Sequence, residues 1–394
     1  MKQATNASVM RSSNRKLILN LIRQGPVSRV ELAEQTSLTR ASVTQIVDEL
    51  LEAGLVEAVS TIEHNGMGRK RTQLALCHNA RYVFGVNIRR RHCEVGVVDL
   101  YGDVLAQQVL PVSGYPAAAV IRRIADTVFS LQDQLHLNPD HILGIGVSAP
   151  GPVDYKEGML LNPPNFSAWH HIPICRMLRE YTGYEVSLEK DTNSRALEEK
   201  YFGSAKNISN FMLVQIDDGV GSGVVIRDRL YRGAHGMGTE IGHISICYDG
   251  PECSCGNRGC LESYLRIPAL LKDSAFDSWE ALATADMHSA TGTDQNAVPH
   301  LEIQQQQASA IIDRAAEYLT AALVSAINLY DLEKIILTGD VAGCPLPLTT
   351  RLNHNLQQRV LSRSSLLPIP VTDSRSLAPV RTGAMAVLRD MFQD

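Results

Sequence analysis

No run of 18 apolar residues occurs anywhere in the 394-residue chain, which excludes a conventional membrane-spanning helix. The start, MKQATNASVMRSSNRK, lacks the apolar stretch of a secretory leader, so a cytoplasmic protein is expected. Aromatic residues make up only 5% of the chain and hydrophobic residues 44%. That composition excludes a fibre or a disordered tail and leaves room for two or three globular domains. Cysteine is sparse too, with eight residues that do not resemble a disulfide framework in a chain of this size. Four of them, Cys247, Cys253, Cys255 and Cys260, crowd into one segment.

The formal net charge of −5 conceals a split. Residues 1–80 carry ten Lys/Arg against seven Asp/Glu, whereas the remainder carries 27 against 35. A basic head on an acidic body points toward nucleic acid. In the head, Leu17, Ile18, Leu21 and Ile22 fall on one helical face before Gly25-Pro26 stops the helix. Ser28 and Glu31 have capping-box spacing for a second helix reaching about Gln35. Thr39 can cap a third, whose Val43, Ile46, Val47, Leu50 and Leu51 follow the spacing of a buried stripe.

The opposite face of that third helix offers Arg40, Ser42, Thr44 and Gln45 near its N-terminus, the end from which a recognition helix reaches base edges. Two alternating segments, 55–60 and 72–76, then flank a glycine-containing tip with Arg69, Lys70 and Arg71. They read as a hairpin wing whose charges bind phosphates while the helix reads sequence. A packing or dimerisation domain is the alternative for this head.

From residue 82 the pattern changes to short β segments (83–88, 94–99, 104–110), an amphipathic helix and a buried strand over 142–148. The order recurs with strands at 211–216 and 223–226, a long helix at 308–329 and a strand at 335–338. Tandem α/β units predict two similar lobes. Gly144, Gly146, Gly151, Gly219, Gly221, Gly223 and Gly339 punctuate the places where a ligand would approach backbone. Residues 272–307 have mixed helical and loop character.

The strongest local signal is GHISICYDGPECSCGNRGCLE, in which His243, Cys253, Cys255 and Cys260 offer one imidazole and three thiols within 18 residues. Such a set suits one structural, tetrahedral zinc with no open position; reduced free thiols are the alternative. Cys247, in an alternating 244–248 stretch, reads as a strand residue rather than a ligand.

TEIGH at 239–243 and the following CSCGNRGCLE run resemble the ROK family of repressors, open reading frames and sugar kinases. The likeness covers nearly the whole chain. It implies an N-terminal winged helix-turn-helix (1–80) and an α/β body (81–394) with the duplicated actin/hexokinase-like fold, its lobes at about 81–200 and 201–394. It implies sugar contacts at Asn165, Asp191, Glu240, His243 and Glu262, with zinc ordering the adjacent loop. Asp191 matches the kinases' general base; solvated or helix-capping roles are alternatives for Asp191 and Glu262.

Departures separate the branches. Asn87-Ile88-Arg89-Arg90-Arg91 stands where the kinases carry an Asp-x-Gly-Gly-Thr phosphate loop, Asp217-Asp218-Gly219 stands where they carry Gly-Thr-Gly, and Lys190 replaces asparagine before Asp191. Phosphoryl transfer depends on positioning and neutralising phosphates, so these changes predict lost catalysis. The resemblance thus implies a cytoplasmic, sugar- or sugar-phosphate-responsive transcriptional repressor. It would bind a double-stranded DNA operator as a homodimer or tetramer, with a protein of the sugar-transport system as a further partner. An active ATP-dependent sugar kinase is the alternative.

Overall fold

The computed structural model describes residues 7–62, 71–164, 166, 169–291, 299–361, 371–373 and 378–393. In the head, α1 (Ala7–Arg23) begins earlier than its apolar spacing predicts and ends just before Gly25-Pro26. Ser28 precedes α2 (Arg29–Thr36) and forms the expected reciprocal cap. Its hydroxyl accepts the Glu31 N–H at 3.4 Å, and the Glu31 carboxylate accepts the Ser28 N–H at 2.7 Å. Thr39 caps α3 (Arg40–Glu52) by accepting the Ser42 N–H at 3.1 Å. Val43, Ile46, Val47 and Leu50 are buried as the stripe requires, while Leu51 is only half-buried.

The wing contains a strand that the sequence concealed. β1 (Val27–Ser28) pairs with β3 (Arg71–Leu76), which in turn pairs with β2 (Val56–Ile62), giving a three-stranded sheet in place of a simple hairpin.

The body opens with β4 (Tyr82–Ile88), β5 (His92–Asp99) and β6 (Val104–Pro111), followed by α4 (Ala117–Gln134) and β7 (Ile142–Ala149). A short hairpin of β8 (Val153–Asp154) and β9 (Met159–Leu160), then α5 (Ile174–Thr182), leads to β10 (Val186–Lys190). The sheet order is β6-β5-β4-β7-β10, antiparallel across β6-β5-β4 and parallel across β4-β7-β10. Val120, Ile121, Ile124 and Val128 of α4 close one face over Phe84, Val86, Ile145 and Val147.

The second half repeats the plan. After α6 (Asp191–Tyr201) come β11 (Phe211–Ile216), β12 (Val220–Ile226) and β13 (Arg229–Tyr231). Four helices follow: α7 (Leu261–Leu265), α8 (Ile267–Leu270), α9 (Trp279–Thr291) and α10 (Pro299–Tyr330). Then come β14 (Lys334–Gly339), α11 (Leu346–Arg359), β15 (Val371–Asp373) and finally α12 (Pro379–Phe392). The order β13-β12-β11-β14-β15 has the same pattern of antiparallel and parallel neighbours as the first sheet. The duplication expected from the sequence is therefore a duplication of sheet topology, and the fold class is a winged head followed by an actin-like α/β body.

Two compact units result, Met1–Asp191 with Ala378–Asp394, and Thr192–Leu377. The head thus groups with the first sheet, and the helix following the last strand of each sheet belongs to the other unit. Close packing explains why α12 fits the first sheet. A Cβ on Gly85 would lie 1.9 Å from Val380 O, one on Gly146 2.4 Å from Gly383 O, and one on Gly383 2.5 Å from the backbone of Val86. In the second unit, a Cβ on Gly223 would likewise lie 2.4 Å from the Thr192 carbonyl oxygen of α6. Gly146 and Gly223, read from sequence as ligand-approach positions, are instead helix-to-sheet contacts.

One buried ion pair reinforces this seating. Arg389 Nη1 of α12 lies 2.7 Å from Glu189 Oε2 of β10, whose side chain is 1% exposed. In the same last turn of α12, the Arg23 guanidinium of α1 sits 5.0 Å over the Phe392 ring, and Lys16 Nζ donates to Gln393 O at 3.1 Å. No helix among the described residues is long and apolar enough to cross a membrane.

Candidate functional site

At the start of α3, Arg40, Thr44 and Gln45 are exposed. Ser42 is half-buried, and its hydroxyl lies 2.9 Å from that of Thr39, so it serves the helix start. Farther along α3, Asp48 is paired with Arg29 at 2.7 Å and Glu49 with Arg11, which removes two carboxylates as a source of repulsion toward phosphate. Arg69 and Lys70 lie outside the described residues. Arg71 opens β3, opposite Ile62.

The second unit gathers the predicted metal ligands. His243 Nδ1 is 3.7 Å from Cys253 Sγ, Cys255 Sγ is 3.7 Å from Cys260 Sγ, and all four ligand atoms lie within 4.8 Å of one another. Tetrahedral Zn–S bonds of ~2.3 Å place sulfurs ~3.8 Å apart, so the donor set and its spacing fit zinc. Burial pushes the Cys253 thiol up, but hydrogen bonds from the Cys255 backbone and from the Cys255, His243 and Cys260 side chains prevail and bring it down to about 6. Burial and the two neighbouring thiols push Cys260 up to about 12. Cys93 and Cys175, raised to about 12 chiefly by burial, stay protonated and inert.

The strand expected over 244–248 does not form. Ile241–His243 is a single 3-10 turn, and the chain then bends through a loop held by bridges Ser245↔Cys260 and Glu252↔Arg258. Bringing four ligands from a short segment to one point requires turns, and that requirement overrides the alternating pattern. Gly259, at φ 63°, lets the Cys247 carbonyl approach so closely that a Cβ would lie 1.6 Å from it. The Cys247 thiol instead donates to Asp249 Oδ1 at 3.0 Å, outside the cluster.

The predicted sugar residues are distributed over both units. Asn165 lies outside the described residues. Asp191 is the last residue of the first unit, where β10 passes into α6. Glu240 leads the 241–243 turn, and α7 is tied beside that turn by Leu261 N–H donating to Ile244 O at 3.0 Å. Glu262, in the first turn of α7, accepts the Val220 N–H at 2.9 Å, so one carboxylate oxygen anchors β12.

Thr239 stands at φ 66°, a left-handed conformation that costs a β-branched residue about 1–3 kcal/mol. Its carbonyl accepts the Ser222 hydroxyl at 2.5 Å, and its hydroxyl donates to Ser222 O at 3.3 Å. A strained residue clamped on both sides aims the following Glu240, a signal invisible without backbone angles.

Both phosphate-loop departures have structural consequences. Asn87, almost fully buried, donates to Glu94 Oε2 at 3.0 Å, a bond an aspartate could not make. Arg89 N–H closes a tight hairpin on His92 O, and Arg90 Nε donates to Pro164 O at 3.1 Å. In the second unit, Asp217 Oδ1 accepts the Asp340 N–H at 2.9 Å, and Oδ2 accepts Gln215 Nε2 at 2.7 Å. A Cβ on Gly339 would lie 2.0 Å from Asp217 Oδ1. An internal carboxylate thus occupies the carboxyl end of the parallel β11–β14 pair, where phosphate would otherwise meet backbone amides.

The ROK family profile matches residues 83–390, and a MarR family profile matches residues 13–64. The xylose repressor of Bacillus subtilis is 33% identical over 260 residues, 66% of this chain and 67% of that protein. The DNA-binding transcriptional dual regulator NagC of Escherichia coli is 25% identical over 388 residues, 98% of this chain and 95% of that protein. A crystal structure of a ROK family transcriptional regulator, described as a homologue of the E. coli MLC protein, superposes with a TM-score of 0.77 at 24% identity, covering 98% of this chain and 97% of that one. Across both duplicated sheets, the Cys/His loop and the sequence likeness, the chain is a member of the ROK family.

Proposed function

We propose that the chain is a cytoplasmic transcriptional repressor that binds operator DNA and responds to a sugar or sugar phosphate, with a kinase-like body that does not transfer phosphate. The observation that carries this reading is the capped α3 helix, exposing Arg40, Thr44 and Gln45 on a winged head joined to a ROK body. Regulators of DNA and sugar among its relatives support it. Asp191, Glu240, His243, Glu262 and Asn165 are the proposed sugar contacts; carboxylates accept paired hydrogen bonds from vicinal hydroxyls. His243 Nδ1 faces the thiols, so its Nε2 is the atom assigned to a hydroxyl. One zinc per chain is assigned to His243, Cys253, Cys255 and Cys260. A homodimer or tetramer matches the two-fold symmetry of palindromic operators, and a sugar-transport protein completes the set of proposed partners.

The DNA assignment is tested by fluorescence anisotropy on fragments upstream of the chain's own gene, across a salt series. Arg40→Ala or Gln45→Ala is expected to lose about 1–3 kcal/mol of discrimination between sites. Changing Arg69, Lys70 and Arg71 to glutamine weakens binding to every sequence and flattens the salt slope by about one unit per lost phosphate contact. Equal losses from the two sets with an unchanged slope would contradict this division of labour. ATP-dependent turnover on the order of one per second with a hexose would favour the kinase reading instead.

A further inference from the structure

We propose that Arg389 is a positioning residue that couples the effector end of the first unit to the DNA-binding head, with α12 as the connecting element. The proposal deepens the regulator reading and rests on it.

The chain of contacts is continuous within one unit. β10 ends at Glu189-Lys190 and Asp191 follows it, so the proposed sugar residue lies two positions beyond Glu189. Glu189 is 1% exposed and receives Arg389 Nη1 at 2.7 Å. A buried carboxylate is strongly destabilised without its cation, so β10 and the last turn of α12 move together or separate at considerable cost. Three residues beyond Arg389, Phe392 is 3% exposed beneath the Arg23 guanidinium, and Gln393 O accepts Lys16 Nζ. Both basic residues belong to α1, which packs with α2 and α3 in the head.

The helix suits this role because its bed is unyielding. Gly383 rests on the Val86 backbone and the Val380 carbonyl on Gly85, so at these two points backbone meets backbone directly. Displacement of the Asp191 end of β10 therefore passes to α12 as a whole-helix shift rather than being absorbed by rotamer changes. An effector alters operator affinity only as far as it prefers one seating of α12 over the other.

The test measures operator affinity by anisotropy with and without whichever of xylose, glucose, N-acetylglucosamine or their phosphates gives the largest thermal shift. The ratio of the two affinities is the coupling factor. In the Glu189→Gln/Arg389→Gln double variant, which removes both charges of this pair together, that factor is expected to fall to within about twofold of one, from the 5–150-fold typical of allosteric pairs. Operator affinity without sugar, and sugar affinity without DNA, should each stay within about threefold of the unaltered protein. A second variant, Phe392→Ala with Lys16→Met, cuts the other end of the same connection and should lower the factor equally while leaving the first sheet intact. An unchanged coupling factor in either folded variant overturns the proposal. Operator binding by the unaltered protein that no sugar changes would remove the regulator reading itself, an outcome distinct from loss of coupling in the variants alone.

Discussion

By plasma mass spectrometry, the unaltered protein is expected to carry one equivalent of zinc per chain and Cys255→Ser none. Structural zinc sites bind with an apparent 10–16 kcal/mol in small peptides, roughly, and much of that is folding energy of the loop that supplies the ligands. Here the loop carries His243 and leads through Cys260 directly into α7, so releasing the metal disorders the Glu240, His243 and Glu262 group together. Sugar affinity should fall at least tenfold, within the ~10–100-fold range seen when support of a metal site is removed. Cys247→Ser is the control and should retain zinc, because that thiol faces Asp249.

The pH dependence has a definite sign. Cys253, brought down to about 6, is already a thiolate near neutrality, whereas Cys260, pushed up to about 12, must surrender its proton to the metal. Acidification through about pH 6 adds a further proton, on Cys253, for zinc to displace, so metal loss steepens on the acid side. Retention of one zinc per chain in Cys255→Ser would show that the ligand set is wrong.

The largest effect on stability is expected from Gly383→Val. A Cβ alone would stand 2.5 Å from both the N and the O of Val86, atoms of a central strand that cannot swing aside. Overpacking typically costs about 1–3 kcal/mol where side chains can yield. With backbone on both sides, the cost here should exceed about 4 kcal/mol, enough to lose most of the soluble protein. Gly343→Ala is the matched control, since nothing lies within 4 Å of its added Cβ. Circular dichroism melts should separate the two, and equal melting temperatures would refute the tight seating of α12 on β4.

Local chemistry was the legible part of this fold. The Ser28–Glu31 capping box and the Thr39 cap depend on residues three apart, and both form as spacing requires. The Cys/His cluster was readable because few packing needs place a Cys-x-Cys-x4-Cys run in a glycine-rich loop. What escaped notice depends on distant partners. β1 is two residues long and becomes a strand only because Leu74 and Gln73 lie beside it.

The glycines were correctly seen as places of close approach, but sequence could not say what approaches. For Gly146 it is Gly383 of α12, which lies far later in the sequence. α6 misleads in the opposite direction, since DTNSRALEEKY looks like a solvated helix yet nine of its residues are buried. The structure brings Glu240, His243 and Glu262 into neighbouring turns of one unit. It also shows the Ser42 hydroxyl 2.9 Å from that of Thr39 at the start of α3.

The contact of α1 with the final residues of the chain has a consequence for biosynthesis. The head is made long before the aromatic ring under Arg23, which belongs to Phe392 at the end of α12. At translation rates of 5–20 residues per second, about 15–60 s separate the two events. Until α12 emerges, the nascent head has nothing to dock upon, so a product truncated or stalled before it would carry an intact recognition helix without its anchorage.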